Sequence, residues 1–358
     1  MPNLPTIDIT FKTLASTVVS RSERGEAILI LSGLVPMDGY KEYTSLAQVD
    51  ADEFSAYGDA AEMYRKISNV FRSAVAKVIL YVVEGGQSIK NVLTDITINH
   101  KPCWIYTDAE YQTELVSFIK EQEAKKKYYK AVVCGASAPN CKHIVNIGNN
   151  GKVIIDTLDE EQPASAVTTI VLGVLASANV KRGVTGAIVP GVVKVVGETL
   201  DEQTAVESGR LLLVNARNGV KISVGINSST DSNPDDMRYI ENVEVTDMIS
   251  DDITTLFEEE YQGKTKNSLD NQMLFIASVN GYFAELENEE ILDNEYENKV
   301  EIDVEAQRRA WIAAGTAEAA SWSDDIVRAR SFKRTMFLAG DIKILNTVDS
   351  LKFAVALA

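Results

Sequence analysis

Residues 77–83 read KVILYVV, an apolar run with no polar alternation. A run of this length and composition is read as a buried strand. Working outward, AILILSG (27–33) is a second buried strand, and KPCWIYT (101–107), KAVVCGA (130–136) and HIVNIGN (143–149) add three more. Between them lie helical stretches. Residues 50–74 are mainly helical, and residues 108–129 place Leu115, Phe118, Ile119 and Gln122 at helical spacing. SAVTTIVLGVLASA (165–178) is a buried helix rich in small residues. Strands alternating with helices predict an α/β layer around a largely parallel sheet.

Beyond about residue 180 the texture changes. RGVTGAIVPGVVKVV (182–196) is rich in Gly and Val, and Asn218-Gly219 between apolar runs predicts a β-hairpin. After a polar loop at 228–236 the chain becomes mainly helical and acidic. Helices are expected to stop at Gly263 and Gly315, and Leu269, Met273, Ile276, Phe283 and Leu286 to share one buried face. Residues 285–305 carry ten acids and one lysine. Without EF-hand spacing, they read as a solvated face. The fold class expected is α/β and α+β, in two domains.

Both ends alternate with period two. Ile7, Ile9 and Phe11 share one face near the start, and Leu351, Phe353, Val355 and Leu357 share one near the end. An end strand must pair with something, either its own subunit's sheet or a neighbour's. The segment SWSDDIVRARSFKRTMFLAGD (321–341) holds Arg328, Arg330, Lys333 and Arg334 with no acid between Asp325 and Asp341, in a chain of formal charge -17. It is expected to form a helix over 324–339, with Ser323 as N-cap and Gly340 as stop. On a helical wheel Ala329, Phe332 and Met336 share a face. Arg330, Lys333 and Arg334 cover an adjacent arc, with Arg328 off it.

The 358 residues, 45% of them hydrophobic, suffice for two domains with sizeable cores. The acidic balance argues against a general nucleic-acid binder. No run of about 18 apolar residues predicts a membrane span, and the start lacks the order of a signal peptide, so synthesis in the cytoplasm is expected. Cys103, Cys134 and Cys141 lack metal-like spacing and read as reduced thiols. The sequence has no phosphate-cradling glycine motif and no nucleophile elbow, and no His-x-x-x-His pair for a catalytic zinc. His100 and His143 read as structural; a Cys134 nucleophile would need His143 beside it in space. No cofactor or metal is expected. An α/β hydrolase using Cys134 or a carboxylate is the alternative from another class.

Residues 261–292 (YQGKTKNSLDNQMLFIASVNGYFAELENEEIL), 301–311 (EIDVEAQRRAW) and 337–357 (FLAGDIKILNTVDSLKFAVAL) resemble the C-terminal domain of contractile tail sheath proteins of phages and R-type bacteriocins. GINSSTD (225–231), TSLAQVDADEF (44–54) and AVAKVILYVVEGG (74–86) extend the resemblance along nearly the whole chain, which looks like a compact form of the family. The resemblance implies an N-terminal arm at 1–20, an outer α/β domain at 21–180, an inner, tube-facing α+β domain at 181–345 and a C-terminal arm strand at 346–358. It also implies that the arms add strands to neighbouring subunits, and that a helix near the C-terminus meets the tail tube. Arg330, Lys333 and Arg334, with Arg328 a weaker member, are the expected tube contacts. The implied function is structural and not enzymatic. A helical homopolymer surrounds the tube, bounded by baseplate and tail terminator proteins. It contracts to drive the tube through a bacterial envelope, without binding nucleic acid or inserting in a membrane. The particle would be assembled in the cytoplasm and released on lysis.

Overall fold

A computed structural model of the protein describes residues 25–197, 201–231 and 235–355. The described chain divides into two compact units, one of residues 25–247 with 346–355 and the other of residues 248–345. The arm at 1–20, with Ile7, Ile9 and Phe11, and also Leu357, lie outside the described residues.

The first unit is organised by β1 (Glu26–Gly33), β2 (Lys41–Tyr43), α1 (Ala60–Val70), β3 (Lys77–Glu84), α2 (Lys90–Asn99), β4 (Trp104–Thr107), α3 (Gln112–Ala124), β5 (Lys130–Cys134) and β6 (Ile144–Ile147). The six strands form one sheet in the order β2-β3-β1-β4-β5-β6. All neighbours are parallel except the short edge strand β2. The central run of β3 is apolar throughout because both its faces are covered. Val78, Leu80 and Val82 enter one core with Leu29, Leu31, Ile67 of α1 and Ile170 and Val171 of a later helix. Ile79, Tyr81 and Val83 enter the other with Leu93 and Ile96 of α2 and Leu115, Phe118 and Ile119 of α3. The parallel α/β layer expected from the sequence is therefore present. Helix α2 is absent from the sequence reading: its Asn91, Thr94, Asp95, Thr97 and Asn99 favour turns or strands by propensity, and burial of Leu93 and Ile96 overrides them.

The unit continues through β7 (Lys152–Ile155), β8 (Gln162–Pro163), α4 (Thr168–Ser177), β9 (Val192–Val196), α5 (Glu202–Glu207), β10 (Leu213–Ala216), β11 (Gly219–Ile222) and the start of α6 (Ile240–Leu256). Helix α4 is buried over all but its last residue. It comes so close to α1 that a Cβ on Gly173 would lie 2.4 Å from the Val70 carbonyl oxygen, so only glycine fits. The hairpin expected at Asn218-Gly219 forms between β10 and β11, with Gly219 at φ 122°.

In the second unit, α6 ends in a π-turn at Phe257–Tyr261, and α7 (Leu269–Asn288), β12 (Lys299–Ile302), α8 (Val304–Ala313), α9 (Asp324–Ala329) and β13 (Leu338–Asp341) follow. Ile276, Phe283 and Leu286 of α7 are buried as expected, but Met273 is half exposed. Strands β12 and β13 pair antiparallel, Lys299 against Asp341 and Ile302 against Leu338.

That pairing overturns the helix expected over 324–339. Ser323 does cap a helix, accepting from the Ile326 N–H, but the helix stops at Ala329. The Gln307 amide donates to the Val327 carbonyl at 2.6 Å, and the Trp311 indole donates to the Arg330 carbonyl at 3.0 Å, so α8 takes the carbonyls that further helical turns would need. Phe332 then bridges to Thr335 across a tight turn with Lys333 at φ 43°. Gly340 sits within β13 and is not a helix stop. Ala329 is exposed, so the apolar face of Ala329, Phe332 and Met336 does not exist.

Candidate functional site

Three places concentrate chemistry or exposed apolar surface: the basic turn, the C-terminal segment and a buried polar cluster. In the basic turn, Arg328, Arg330, Lys333 and Arg334 are all exposed. They share one short stretch, but from a capped helix end and a turn rather than a helical arc. Beneath them lies an aromatic cluster. Trp311 meets Phe332 edge-on at 5.1 Å and Trp322 at 5.9 Å, and Phe332 lies 5.8 Å from Phe337. The Arg330 guanidinium sits 4.3 Å from the Trp322 ring centroid, and Lys333 Nζ lies 5.2 Å from the Phe332 ring. Such cation–π contacts contribute about 0.5–1 kcal/mol at exposed sites. The Asn267 amide donates to the carbonyls of Phe332 and Thr335 and fixes the turn. The result is a small basic surface held in place by rings and backbone bonds.

The C-terminal segment leaves the fold in a definite place. Thr347 donates to Glu241 from its backbone N–H and its hydroxyl, and Thr185 donates to Asp349 at 3.2 Å. Beyond this anchor, residues 350–355 form no strand among the described residues. Leu351, Phe353 and Val355 are 86%, 81% and 67% exposed. Three large apolar side chains uncovered at period two mark an unsatisfied strand face.

The buried cluster joins α3, β5, the segment entering β6 and α6. Lys130 Nζ lies 3.0 Å from Glu244 and 2.9 Å from Asp247, with about 7% of its side chain exposed. Asp247 also accepts from His143 Nε2 at 3.1 Å. The other face of the His143 ring meets Glu123, Oε2 lying 3.4 Å from Nδ1, and the Cys141 thiol donates to that same oxygen at 3.0 Å. The tyrosine ring of Tyr128 stacks on the imidazole at 5.2 Å. Burial would lower the imidazole pKa, but the hydrogen bond to Asp247 and the nearby Glu123 carboxylate outweigh it and raise it. Burial and Glu123 push the Cys141 thiol up to about 12. Glu123, Cys141 and His143 are the metal-capable trio among the described residues, their donor atoms within 4.8 Å of one another. The sequence reading missed this trio; Cys141 and His143, two residues apart, were its local signal, while Glu123 comes from a helix 18 residues earlier.

The pairing required by a Cys134 nucleophile is not made: His143 is held by Asp247 and Glu123, and burial raises the Cys134 thiol pKa. At the C-terminal end of the sheet, where α/β enzymes bind ligands, Asp108 accepts from the Ser32 N–H at 2.8 Å and from Tyr106, and pairs with Lys66. That carboxylate is fully engaged. His100 lies 2.8 Å from the Tyr81 hydroxyl, which itself donates to Asp95. Its role is structural.

The fold is that of contractile sheath subunits: it matches the sheath of an anti-feeding prophage in its contracted state, with TM-score 0.68 at 15% identity over 100% of each chain. It also matches a sheath tail protein from Desulfitobacterium hafniense, with TM-score 0.64 at 14% identity over 83% of this chain and 94% of that one. Residues 232–357 match the phage tail sheath C-terminal domain. A tail sheath protein of Clostridium phage phiCD119 is 28% identical over 99% of both chains. The chain is thus similar along its length to contractile tail sheath proteins, and its residues 232–357 match their C-terminal domain.

Proposed function

We propose that many copies of this chain polymerise helically around a tail tube and contract to drive it through a bacterial envelope. The uncovered apolar row Leu351, Phe353 and Val355, at the end of the region matching the sheath domain, carries this reading. A segment whose apolar face is uncovered and whose backbone groups lack partners among the described residues completes itself on a neighbouring sheet. The N-terminal arm at 1–20 serves as a second connector, the outer domain at 21–180 faces away from the tube, and the inner domain at 181–345 faces it. Arg330, Lys333 and Arg334, with Arg328, face an acidic tube surface, where charge complementarity sets register and encounter rate.

The subunit acts as a mechanical part with no catalytic role. Energy is stored at assembly in bistable interfaces, so no nucleotide is consumed. Baseplate structures of the anti-feeding prophage contain chains of this fold, which supports a baseplate as the partner at one end. A terminator protein is the partner at the other. Assembly takes place in the bacterial cytoplasm and release follows lysis. Electron microscopy of the purified full chain, with and without its tube protein, tests the reading. Tubes or rings of regular subunits are expected; monodisperse particles under all conditions would overturn it.

A further inference from the structure

We propose that Glu123, Cys141 and His143 form a binding site for a zinc-class divalent cation, with Asp247 orienting the histidine. The donor set is one thiolate sulfur, one imidazole nitrogen and one carboxylate oxygen, which suits zinc and its close relatives. Oxygen and nitrogen ligands of a tetrahedral zinc ion, each at about 2.0–2.2 Å, lie about 3.4 Å apart. His143 Nδ1 and Glu123 Oε2 are separated by 3.4 Å. Sulfur sits 3.0 Å from the same oxygen, so a shift of about half an ångström opens this second edge to the length a longer metal–sulfur bond needs, and all three donor atoms lie within 4.8 Å of one another.

Two further observations point to a ligand. His143 is 1% exposed, yet its Nδ1 makes no hydrogen bond of ordinary geometry among the described residues. A buried polar atom left so is costly. The opposite nitrogen, Nε2, is directed at Asp247, and Asp247 is in turn held by Lys130. A carboxylate behind the histidine, fixing its tautomer and leaving the other nitrogen for the metal, is the arrangement that metal-ligating histidines use. Lys130 occupies Asp247 Oδ2, so Asp247 serves as orienter and not as ligand.

The chemistry also balances: the Cys141 thiol releases its proton to solvent when sulfur binds the cation, and the two positive charges of the ion are met by the thiolate and the Glu123 carboxylate. Glu123, with 30% of its side chain exposed, forms the rim through which the ion enters, and three protein ligands leave a fourth position for water. The bound ion would tie the last turn of α3 to the segment entering β6, an edge of the main sheet.

The test uses the full chain, stripped with chelator and titrated with cobalt(II). One equivalent is expected to bind with a thiolate-to-cobalt charge-transfer band in the near ultraviolet, which zinc then bleaches by displacement. Zinc calorimetry in buffers of different protonation enthalpy is expected to show proton release on binding. Cys141→Ser should abolish the band. Asp247→Asn should keep it but weaken affinity about 10–100-fold. Glu123→Gln, at the rim, serves as the ligand variant should a buried substitution fail to fold. Absence of the band in the folded wild type, or an unchanged band and affinity in both Cys141→Ser and Glu123→Gln, would overturn the site. Neither result bears on whether the chain forms sheaths.

Discussion

Replacing Leu351, Phe353 and Val355 together by alanine separates a donated strand from one that supports its own subunit. Burying one such side chain completely contributes about 1.5–3 kcal/mol. Scaled by exposures of 86%, 81% and 67%, the three hold about 3.5–7 kcal/mol of gross stabilisation that the isolated chain does not use. A neighbour that covers them would gain most of it, less the cost of ordering the segment. The triple variant should therefore unfold in urea within about 0.5 kcal/mol of wild type, as exposed substitutions do. The critical concentration for polymerisation, followed by light scattering and electron microscopy, should rise by orders of magnitude, since each 1.4 kcal/mol is tenfold. The reasoning is refuted if the monomer loses 2 kcal/mol or more (about the burial of one large side chain), for then the segment packs at home. It is refuted equally if polymers form at the wild-type concentration.

Three other perturbations follow from the same structure. Reversing Arg330, Lys333 and Arg334 to glutamate should cost the fold only about 0.5–1 kcal/mol, the lost stacking on Trp322, yet abolish co-sedimentation with the tube; unchanged extended sheaths would remove these residues from the tube contact. Lys130→Met leaves Asp247 and Glu244 buried without their cation, and the urea midpoint should drop by the equivalent of about 3–5 kcal/mol; a drop under 1 kcal/mol would mean that water reaches the cluster. Burial holds the His100 pKa below its ordinary value of about 6.5, outweighing Glu42, Glu26 and Asp95, which raise it, while Lys77 lowers it further. The unfolded chain then takes up the proton first, so stability is full above about pH 6.5 and declines as pH falls toward the folded pKa. In His100→Phe that part of the slope should vanish, measured as unfolding free energy at pH 7.5 and pH 5.5.

The parts of the fold legible in the sequence are those whose burial is recorded locally. β1 and β3 are apolar on both faces because helices cover both, and Asn218-Gly219 states its turn in two residues. The basic stretch was misread because its local signals were sound as far as they went. Ser323 does cap a helix, and residues 329, 332 and 336 do fall at helical spacing. What ended the helix came from elsewhere in the chain: Gln307 and Trp311 on α8, and β12, whose Lys299 pairs with Asp341 some 40 residues later. Propensity gave way to tertiary hydrogen bonds. The buried cluster was illegible for a similar reason, since Glu123, Cys141, His143 and Asp247 converge from three separate elements.

The tight turn changes what the basic residues can do. On a continuous helix, long flexible side chains would lie along a solvated arc and each contact would carry its own ordering cost. Here Lys333 is fixed at φ 43° and the Asn267 amide clamps the carbonyls on either side of the turn. Arg330 is already stacked on Trp322. Part of the entropy of docking is thus lost on folding, before any partner arrives. A surface charge pair is worth only about 0.2–1 kcal/mol, so a few such contacts per subunit hold a partner weakly. Repeated along a polymer they hold it firmly, and salt releases them together because all are exposed. For the proposed tube contact, many weak, pre-ordered, solvent-facing charges serve a releasable grip better than a few buried ones.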